Sequence, residues 1–201
     1  ALMPEKTDQV LACFKEGEVL ELNTPITTPG EMTSITYLNE EGRRIYERSL
    51  RFVLLMAVER RFPGYTLRNE HSIGQGVYMK LEGYRLTSAD VSALEGDMRD
   101  IVAQNLPFTL ERWSKEAAIE HFTRQGDLDK ANLLSYRPFD YFNIYSCGGM
   151  SEYFYGAMLP STGYVKAFQL LYHAPGLVLQ MPSPQQPDAP APFVSRPKHL
   201  N

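Results

Sequence analysis

The chain carries few side chains that could act as nucleophiles, general bases or metal ligands. Its two cysteines, Cys13 and Cys147, are far apart, and neither belongs to a Cys-x-x-Cys pair. The four histidines and these cysteines show no spacing typical of a closed zinc site. We therefore expect two reduced, buried thiols and no bound metal.

His71 is the histidine with the best claim to a functional role. It stands in Glu70-His-Ser, directly before a glycine-rich strand, where an imidazole could bind a ligand or make a structural hydrogen bond. Gly74 and Gly76 do not form a dinucleotide-binding fingerprint, because no third glycine follows and a strand comes next. We predict a turn or bulge at these glycines.

Two groups of residues have chemistry that suits contacts with nucleic acid. Arg44, Arg48 and Arg51 fall on one stripe of a predicted helix, although a solvated basic face explains them equally well. An aromatic cluster could stack on a nucleobase, or could simply pack within a sheet. Its members are Tyr141, Phe142, Tyr145, Tyr153, Phe154 and Tyr155.

The composition is that of a globular protein large enough to bury a core. Of 201 residues, 43% are apolar and 22% are charged. A formal charge of −4 excludes the broad positive field that supports non-specific nucleic-acid binding. No signal-peptide pattern occurs, and the longest apolar run, Phe52 to Val58, is too short to span a bilayer. We expect a cytoplasmic protein without a membrane partner.

Three helices and several short strands should position these residues. Asn39 can cap a helix over Glu40 to Phe62 that is apolar nearly all round in its middle and should be buried. A capping box at Thr87 opens a second helix, and Ser114 and Gly126 delimit a third. The predicted strands are Val10–Phe14, Val19–Leu22, Ile35–Leu38, Ser72–Leu81, Pro107–Trp113, Phe139–Cys147, Tyr153–Met158 and Tyr164–Tyr172. Five prolines between Pro182 and Pro192 predict an extended linker over residues 179–201.

The order of these pieces resembles the second additional domain of threonyl-tRNA synthetase, which is related to the alanyl editing domains. The resemblance covers roughly residues 44 to 178 and depends on an ordered series of short segments. They are Arg48–Pro63, Ile73–Tyr78, Leu94–Ile101, Pro107–Phe108, Glu116–Phe122, Gly126–Lys130 and Pro160–Phe168. It implies an α+β fold over residues 39–178, in which a two-layer antiparallel sheet packs on a long central helix. Residues 1–38 resemble the later half of a ubiquitin-like TGS domain, which implies a partial β-grasp sheet.

A further resemblance concerns one bacterial family that joins these two modules to a C-terminal P-loop nucleoside kinase similar to uridine kinase. The similar segments are Glu41–Ala57, Glu70–Ile73 and Pro192–Pro197. The family implies a kinase domain downstream of the linker, with ATP and Mg²⁺ as its cofactors. No Gly-x-x-x-x-Gly-Lys-Ser/Thr motif occurs in the 201 residues, so we expect no cofactor in this chain.

The editing site of the synthetase family uses a His-x-x-x-His pair on the central helix and a Cys-x-x-x-His pair further on. The resemblance aligns these positions with Arg48, Phe52, Phe154 and Met158. Phenylalanine and methionine cannot accept a proton or attack a carbonyl, and arginine is permanently charged. We therefore predict no catalytic residue here and a cleft filled by the two phenylalanines.

Some polar lining of that site is retained. Lys130 and Glu152 match a lysine and an acidic residue of the family's site, and with Arg48 and His71 they make up a candidate ligand cleft.

These features favour a non-catalytic regulatory or scaffolding module of a uridine kinase-like nucleoside kinase. The full-length protein would then be an ATP-dependent phosphotransferase, although this part of it would not be catalytic. One alternative is a hydrolase that edits mischarged tRNA with a rearranged set of residues. Another is a tRNA-binding module that holds the acceptor end between aromatic rings. The expected partners are the kinase domain, a second copy of the chain, a small ligand or tRNA.

Overall fold

The structure, a computed structural model, describes residues 9–194 and has an α+β architecture. Its helices are α1 (Glu40–Arg61), α2 (Ser88–Gln104), α3 (Lys115–Arg124) and α4 (Leu128–Tyr136), with a 3₁₀ turn at Thr162–Tyr164. The first six strands are β1 (Ala12–Lys15), β2 (Glu18–Glu21), β3 (Met32–Ile35), β4 (Leu67–Ile73), β5 (Gly76–Leu81) and β6 (Thr109–Ser114). The remaining strands are β7 (Tyr141–Cys147), β8 (Met150–Tyr153), β9 (Gln169–His173), β10 (Gly176–Gln180), β11 (Pro182–Ser183) and β12 (Gln186–Pro190).

The strands form antiparallel sheets around the long helix α1. The orders are β2-β1-β3, β4-β5-β10-β9 and β6-β7-β8, and β11 and β12 make a separate hairpin. The predicted fold class, an antiparallel sheet on a long central helix, is confirmed. Among residues 9–194, no helix is both long and apolar enough to cross a membrane.

Helix α1 lies at the centre of the main core, as its apolar sequence predicts. Phe52, Val53 and Leu54 are fully buried although, as consecutive residues, they point to different sides of the helix. The same core contains Ala12 and Ile35 from the N-terminal sheet, so that sheet packs directly on the helical domain. The capping box at Thr87 is present and begins α2.

Four predicted strands differ from the observed ones. The strand expected over Tyr164–Tyr172 is observed only over Gln169–His173, because residues 162–164 form a 3₁₀ turn. The single strand expected over Ser72–Leu81 is instead the end of β4, a turn and β5, because Gly74 adopts φ +57° and turns the chain between the two strands. Residues 36–38 form a turn before α1 rather than the end of a strand. Residues 154–158 form a loop after β8, and Gly156 at φ +126° cannot continue a strand there.

The proline-rich segment is folded where the sequence predicts an extended linker. Residues 182–190 form the β11–β12 hairpin, in which Pro182 faces Pro190 and neither has to donate a ladder hydrogen bond. The Tyr37 hydroxyl donates a 2.8 Å hydrogen bond to the Pro182 carbonyl, which ties the hairpin to the start of α1. Residues 195–201 of the predicted linker lie outside the described residues.

Candidate functional site

The four positions aligned with the editing residues lie along one contact between α1 and the loop at residues 154–158. The Phe52 ring centroid is 5.7 Å from that of Phe154, and Phe52 is fully buried. Arg48 donates a hydrogen bond to the Ala157 carbonyl, and its guanidinium occupies the space that a Cβ on Gly156 would fill. The four side chains therefore hold the loop against the helix.

Met158 and Ser49 make the deepest part of this contact. Met158 is fully buried, and its sulfur lies 4.0 Å from the Ser49 hydroxyl oxygen. Ser49 Oγ donates to the Ile45 carbonyl at 2.8 Å and accepts from the Leu159 amide at 3.0 Å. The buried Ser49 hydroxyl thus provides the hydrogen-bond acceptor for the Leu159 amide, a role that the sequence alone did not reveal.

Replacing Ser49 with alanine should lower the free energy of unfolding by about 1–3 kcal/mol, because the buried Leu159 amide would lose its acceptor. Urea denaturation followed by circular dichroism measures the change. Ser135→Ala is the matched control, since the Ser135 hydroxyl bonds at the surface of α4. Equal effects of the two substitutions would contradict this role of Ser49.

Beside this contact lies an open cleft of about 560 Å³ between α1 and α4, which we call the helix cleft. Arg51, Leu55, Lys130, Glu152 and Phe154 are among its lining residues. Lys130 Nζ donates to Glu152 Oε1 and lies 2.9 Å from Asp127 Oδ2. Lys130 and Glu152, predicted as two members of a ligand cleft, are therefore in direct contact.

Lys130 in the buried ion pair of the helix cleft is held protonated near neutral pH. Burial opposes the charged form of Lys130, but the carboxylates of Glu152 and Asp127 outweigh it and raise the Lys130 pKa. Burial also raises the pKa of Glu152 above its ordinary value, against the effect of the Lys130 charge. A protonated lysine cannot act as a base, and the bonded Glu152 oxygen is already occupied.

The other two predicted members of the ligand cleft lie elsewhere. Arg48 turns toward Glu41 at 3.2 Å, on the opposite side of Phe154 from Lys130. His71 is exposed on β4, and its ring centroid lies 5.3 Å from that of Tyr78, with the two rings tilted by 57°. Strand pairing across the β4–β5 hairpin, rather than nearness in sequence to the glycine turn, decides where this imidazole lies.

The arginine stripe of α1 is neutralised along the helix. Each of its arginines faces a glutamate three to seven residues earlier, so the stripe offers little net charge to a phosphate backbone. The ion pairs are Arg44–Glu40 at 2.5 Å, Arg48–Glu41 at 3.2 Å and Arg51–Glu47 at 3.9 Å. The Arg44 side chain is exposed, whereas that of Arg48 is largely buried and bonded to the Ala157 carbonyl, so the stripe is not a continuous basic patch.

A second and larger opening lies on the other side of Phe154, and we call it the aromatic groove. It has a volume of about 820 Å³ and runs between β2 and the β6-β7-β8 sheet. Val19, Glu21, Arg112, Tyr141, Asn143 and Tyr155 are among its lining residues. The predicted aromatic cluster is thereby divided, since Phe142 packs into the small core under α3 and α4 while Tyr141 and Tyr155 are exposed in the groove.

Glu21 joins the N-terminal sheet to this site. Its Oε1 accepts hydrogen bonds from the Tyr145 hydroxyl and, at 3.1 Å, from the Met158 amide. Burial and the nearby carboxylate raise the Tyr145 pKa, so its hydroxyl stays protonated and donates. Because Glu21 and Met158 are 137 residues apart, no local sequence signal could have indicated this contact.

No metal centre is formed by the part of the chain that the structure describes, since no three His, Cys, Asp or Glu side chains are grouped to hold an ion. Burial raises the pKa of Cys147 to about 11, which keeps it a thiol rather than a nucleophilic thiolate.

Comparison with known proteins relates most of the chain to threonine–tRNA ligases. No protein-family model matches the chain. The threonine–tRNA ligase of Caldanaerobacter subterraneus is 34% identical over 159 residues, which is 77% of this chain and 24% of the ligase. Those of Anaplasma marginale and Desulforamulus reducens are 31% and 30% identical, over 85% and 81% of this chain and 27% and 26% of the ligases. The chain thus spans about a quarter of the length of these relatives, and they give no support to a nucleoside kinase.

Proposed function

Because most of the chain is homologous to threonyl-tRNA synthetases, we propose that it is a tRNA-binding module related to their editing domain that no longer hydrolyses the ester. The proposed loss of hydrolysis is supported by one observation. Phe52 and Phe154 are packed against each other at 5.7 Å where the resemblance places a histidine and a cysteine. Phe52 and Met158 are fully buried, and the partly buried Phe154 packs against the same core.

Hydrolysis of an aminoacyl ester needs an oriented water and a base with a pKa near neutral. In the helix cleft, Lys130 is held protonated, and Glu152 is 6% exposed and bonded to that lysine. Arg48, at a third editing position, is bonded to the loop backbone and has no proton to exchange near neutral pH. Lys130 and Glu152 keep polar groups in the helix cleft for a ligand, Arg48 lies outside that cleft, and neither cation can act as a base near neutral pH.

The expected affinity for tRNA is modest, with a shallow dependence on salt. The arginine stripe is paired with glutamates, so few phosphate counterions would be released on binding. Contacts with the unpaired acceptor end would supply most of the binding energy, because stacking and hydrogen bonds depend less on salt.

The test uses the whole chain with seryl-tRNA and threonyl-tRNA. We expect retention of the tRNA on a native gel and ester loss at the rate seen in buffer alone. Ester loss above the buffer rate that disappears in Lys130→Met would instead show an editing hydrolase with a rearranged set of residues. Failure to retain tRNA even at low salt would overturn the proposal.

A kinase domain in the same polypeptide, with its ATP and Mg²⁺, stays a prediction from the sequence resemblance. Assembly with a second copy of the chain stays a prediction as well. Neither receives support from the synthetase relatives, which favour an editing or tRNA-binding module instead.

A further inference from the structure

Helices α3 and α4, with the turn between them, share a small core that is separate from the main core around α1. We call residues 115–136 the α3–α4 unit. The buried members of this small core are Ala118, Phe122, Ala131, Leu134, Phe142 and Ile144. Because so few apolar side chains are buried here, the unit can open locally at a lower free energy than the main core.

The α3–α4 unit supplies part of the wall of the helix cleft. Gln125, Asp127 and Lys130 line the cleft, and they lie in the segment that joins α3 to the first turn of α4. Helix α1 supplies other lining residues, among them Arg51 and Leu55. Movement of the unit would therefore change the shape of the cleft while the main core stays in place.

His121 lies on α3 at the edge of this small core. Its ring centroid is 5.0 Å from that of Trp113 on β6, and the two rings meet edge-on at 79°. Nε2 of His121 is buried, and within residues 9–194 it has no hydrogen-bond partner. Protonation makes both ring nitrogens donors, so it adds a positive charge next to a buried atom that has no acceptor.

The charges near His121 also oppose its protonation. Burial lowers the His121 pKa, and the positive charges of Arg124 and Lys130 lower it further. The carboxylates of the surrounding elements are bonded to other groups. These pairs are Glu111 on β6 with the Trp113 indole, Glu120 with Arg124 on α3, and Asp127 and Glu152 with Lys130 on α4.

We propose that His121 is a pH-sensitive switch, whose protonation loosens the small core and displaces the wall that the α3–α4 unit gives to the helix cleft. The folded unit binds the proton more weakly than the unfolded chain does, in which histidine has a pKa of about 6.5. The stability contributed by neutral His121 is therefore complete above that pH and is lost as the pH falls from about 6.5 toward the lower folded value. The loosening is a property of the unit itself, whereas its effect on tRNA rests on the proposed function.

Fluorescence of the whole chain tests the switch, because Trp113 is its only tryptophan. Emission is recorded from about pH 7.5 to about pH 5, and we expect its maximum to move to longer wavelengths as Trp113 meets water, with a midpoint below about pH 6.5. His121→Gln, which cannot titrate, should show no such transition. A wild-type emission that stays constant, or an equal transition in His121→Gln, would overturn the proposal.

Two further variants separate the titration of His121 from misfolding and from other histidines. His121→Phe keeps a ring beside Trp113, and it replaces His121→Gln if circular dichroism shows that the glutamine variant does not fold. His173→Gln removes a histidine of β9, outside the small core, and should keep the wild-type transition. Loss of the transition in His173→Gln would place the titrating group elsewhere and contradict the switch.

Hydrogen exchange measured by mass spectrometry shows which part of the chain opens. At about pH 5.5, the amides of α3 and α4 should exchange faster in the wild type than in His121→Gln by about 3-fold or more, and at about pH 7.5 the two proteins should exchange equally. The amides of α1 should exchange equally in both proteins at either pH, because the main core does not contain His121. Acceleration in α1 as large as that in α3 would overturn a local switch.

Retention of tRNA on native gels at the same two pH values connects the switch to the helix cleft. We expect weaker retention at the lower pH in the wild type but not in His121→Gln. A fluorescence transition without any change in retention would overturn the displacement of the cleft wall. Absence of retention at every pH would overturn the proposed function alone, because the fluorescence and exchange measurements contain no tRNA.

Discussion

Alanine in place of Phe52 should lower the free energy of unfolding by about 3–5 kcal/mol. The Phe52 side chain is fully buried, and its ring centroid lies 5.4 Å from Phe108 and 5.7 Å from Phe154. Truncation would remove both aromatic contacts and leave a cavity beside α1, where close packing prevents neighbouring side chains from collapsing into the space. Urea denaturation monitored by circular dichroism gives the difference.

The matched control for Phe52→Ala is Tyr136→Ala, which removes an aromatic ring from a surface position. Because Tyr136 is 88% exposed, its loss should change stability by no more than about 0.5 kcal/mol. A Phe52 variant as stable as this control would mean that the ring does not fill the position that we propose for the former reactive centre. The account of an inert descendant of the editing site would then be wrong.

Lys130→Met should also cost about 3–5 kcal/mol at pH 7, because it leaves the Glu152 carboxylate buried without its partner. Methionine keeps the aliphatic part of the side chain, so most of the loss comes from the charge. Lys130→Met combined with Glu152→Gln should recover much of the stability, since a neutral amide is cheaper to bury than a lone charge. Denaturation midpoints and slopes of the two variants measure this difference.

The loss in Lys130→Met should shrink as the pH falls. Burial raises the pKa of Glu152 in the folded chain, and removing the lysine raises it further. An acid with a folded pKa above its unfolded value binds more protons when folded, so stability rises as the pH falls through the folded pKa toward the unfolded one. Stability measured between pH 7 and pH 4.5 should therefore bring the variant closer to the wild type.

The exposed ion pair between Arg124 and Glu120 provides the control for the Lys130 variant. Both side chains are more than two-thirds exposed, so Arg124→Met should cost less than about 1 kcal/mol. A loss in Lys130→Met no larger than this and independent of pH would contradict the buried character of the Lys130–Glu152 pair.

The sequence predicts the helices best where the signals are local. The helix predicted over Glu40 to Phe62 is observed over Glu40–Arg61, because its cap and its apolar middle lie within the segment itself. The capping box at Thr87 is local in the same way. Helix α4 was not predicted from the sequence because it buries only two residues, Ala131 and Leu134. These residues pack against α3 and β7, which are separate segments of the chain.

The site is less predictable than the helices because its contacts are long-range. The resemblance to the synthetase family aligned Phe52 and Phe154 with two positions of one editing site, and the structure brings the two rings into contact. His71 follows the pairing of its strand and lies away from Lys130, which nearness to a glycine turn could not indicate. The aromatic cluster is divided between a core and a groove, a distinction that depends on the helices packed behind the sheet.

The Glu21 carboxylate makes the N-terminal sheet and the loop at residues 154–158 one cooperative unit. Its bonds to the Tyr145 hydroxyl and the Met158 amide must break before either part can open alone. Slow amide exchange at Met158 would thus depend on a strand far away in the chain.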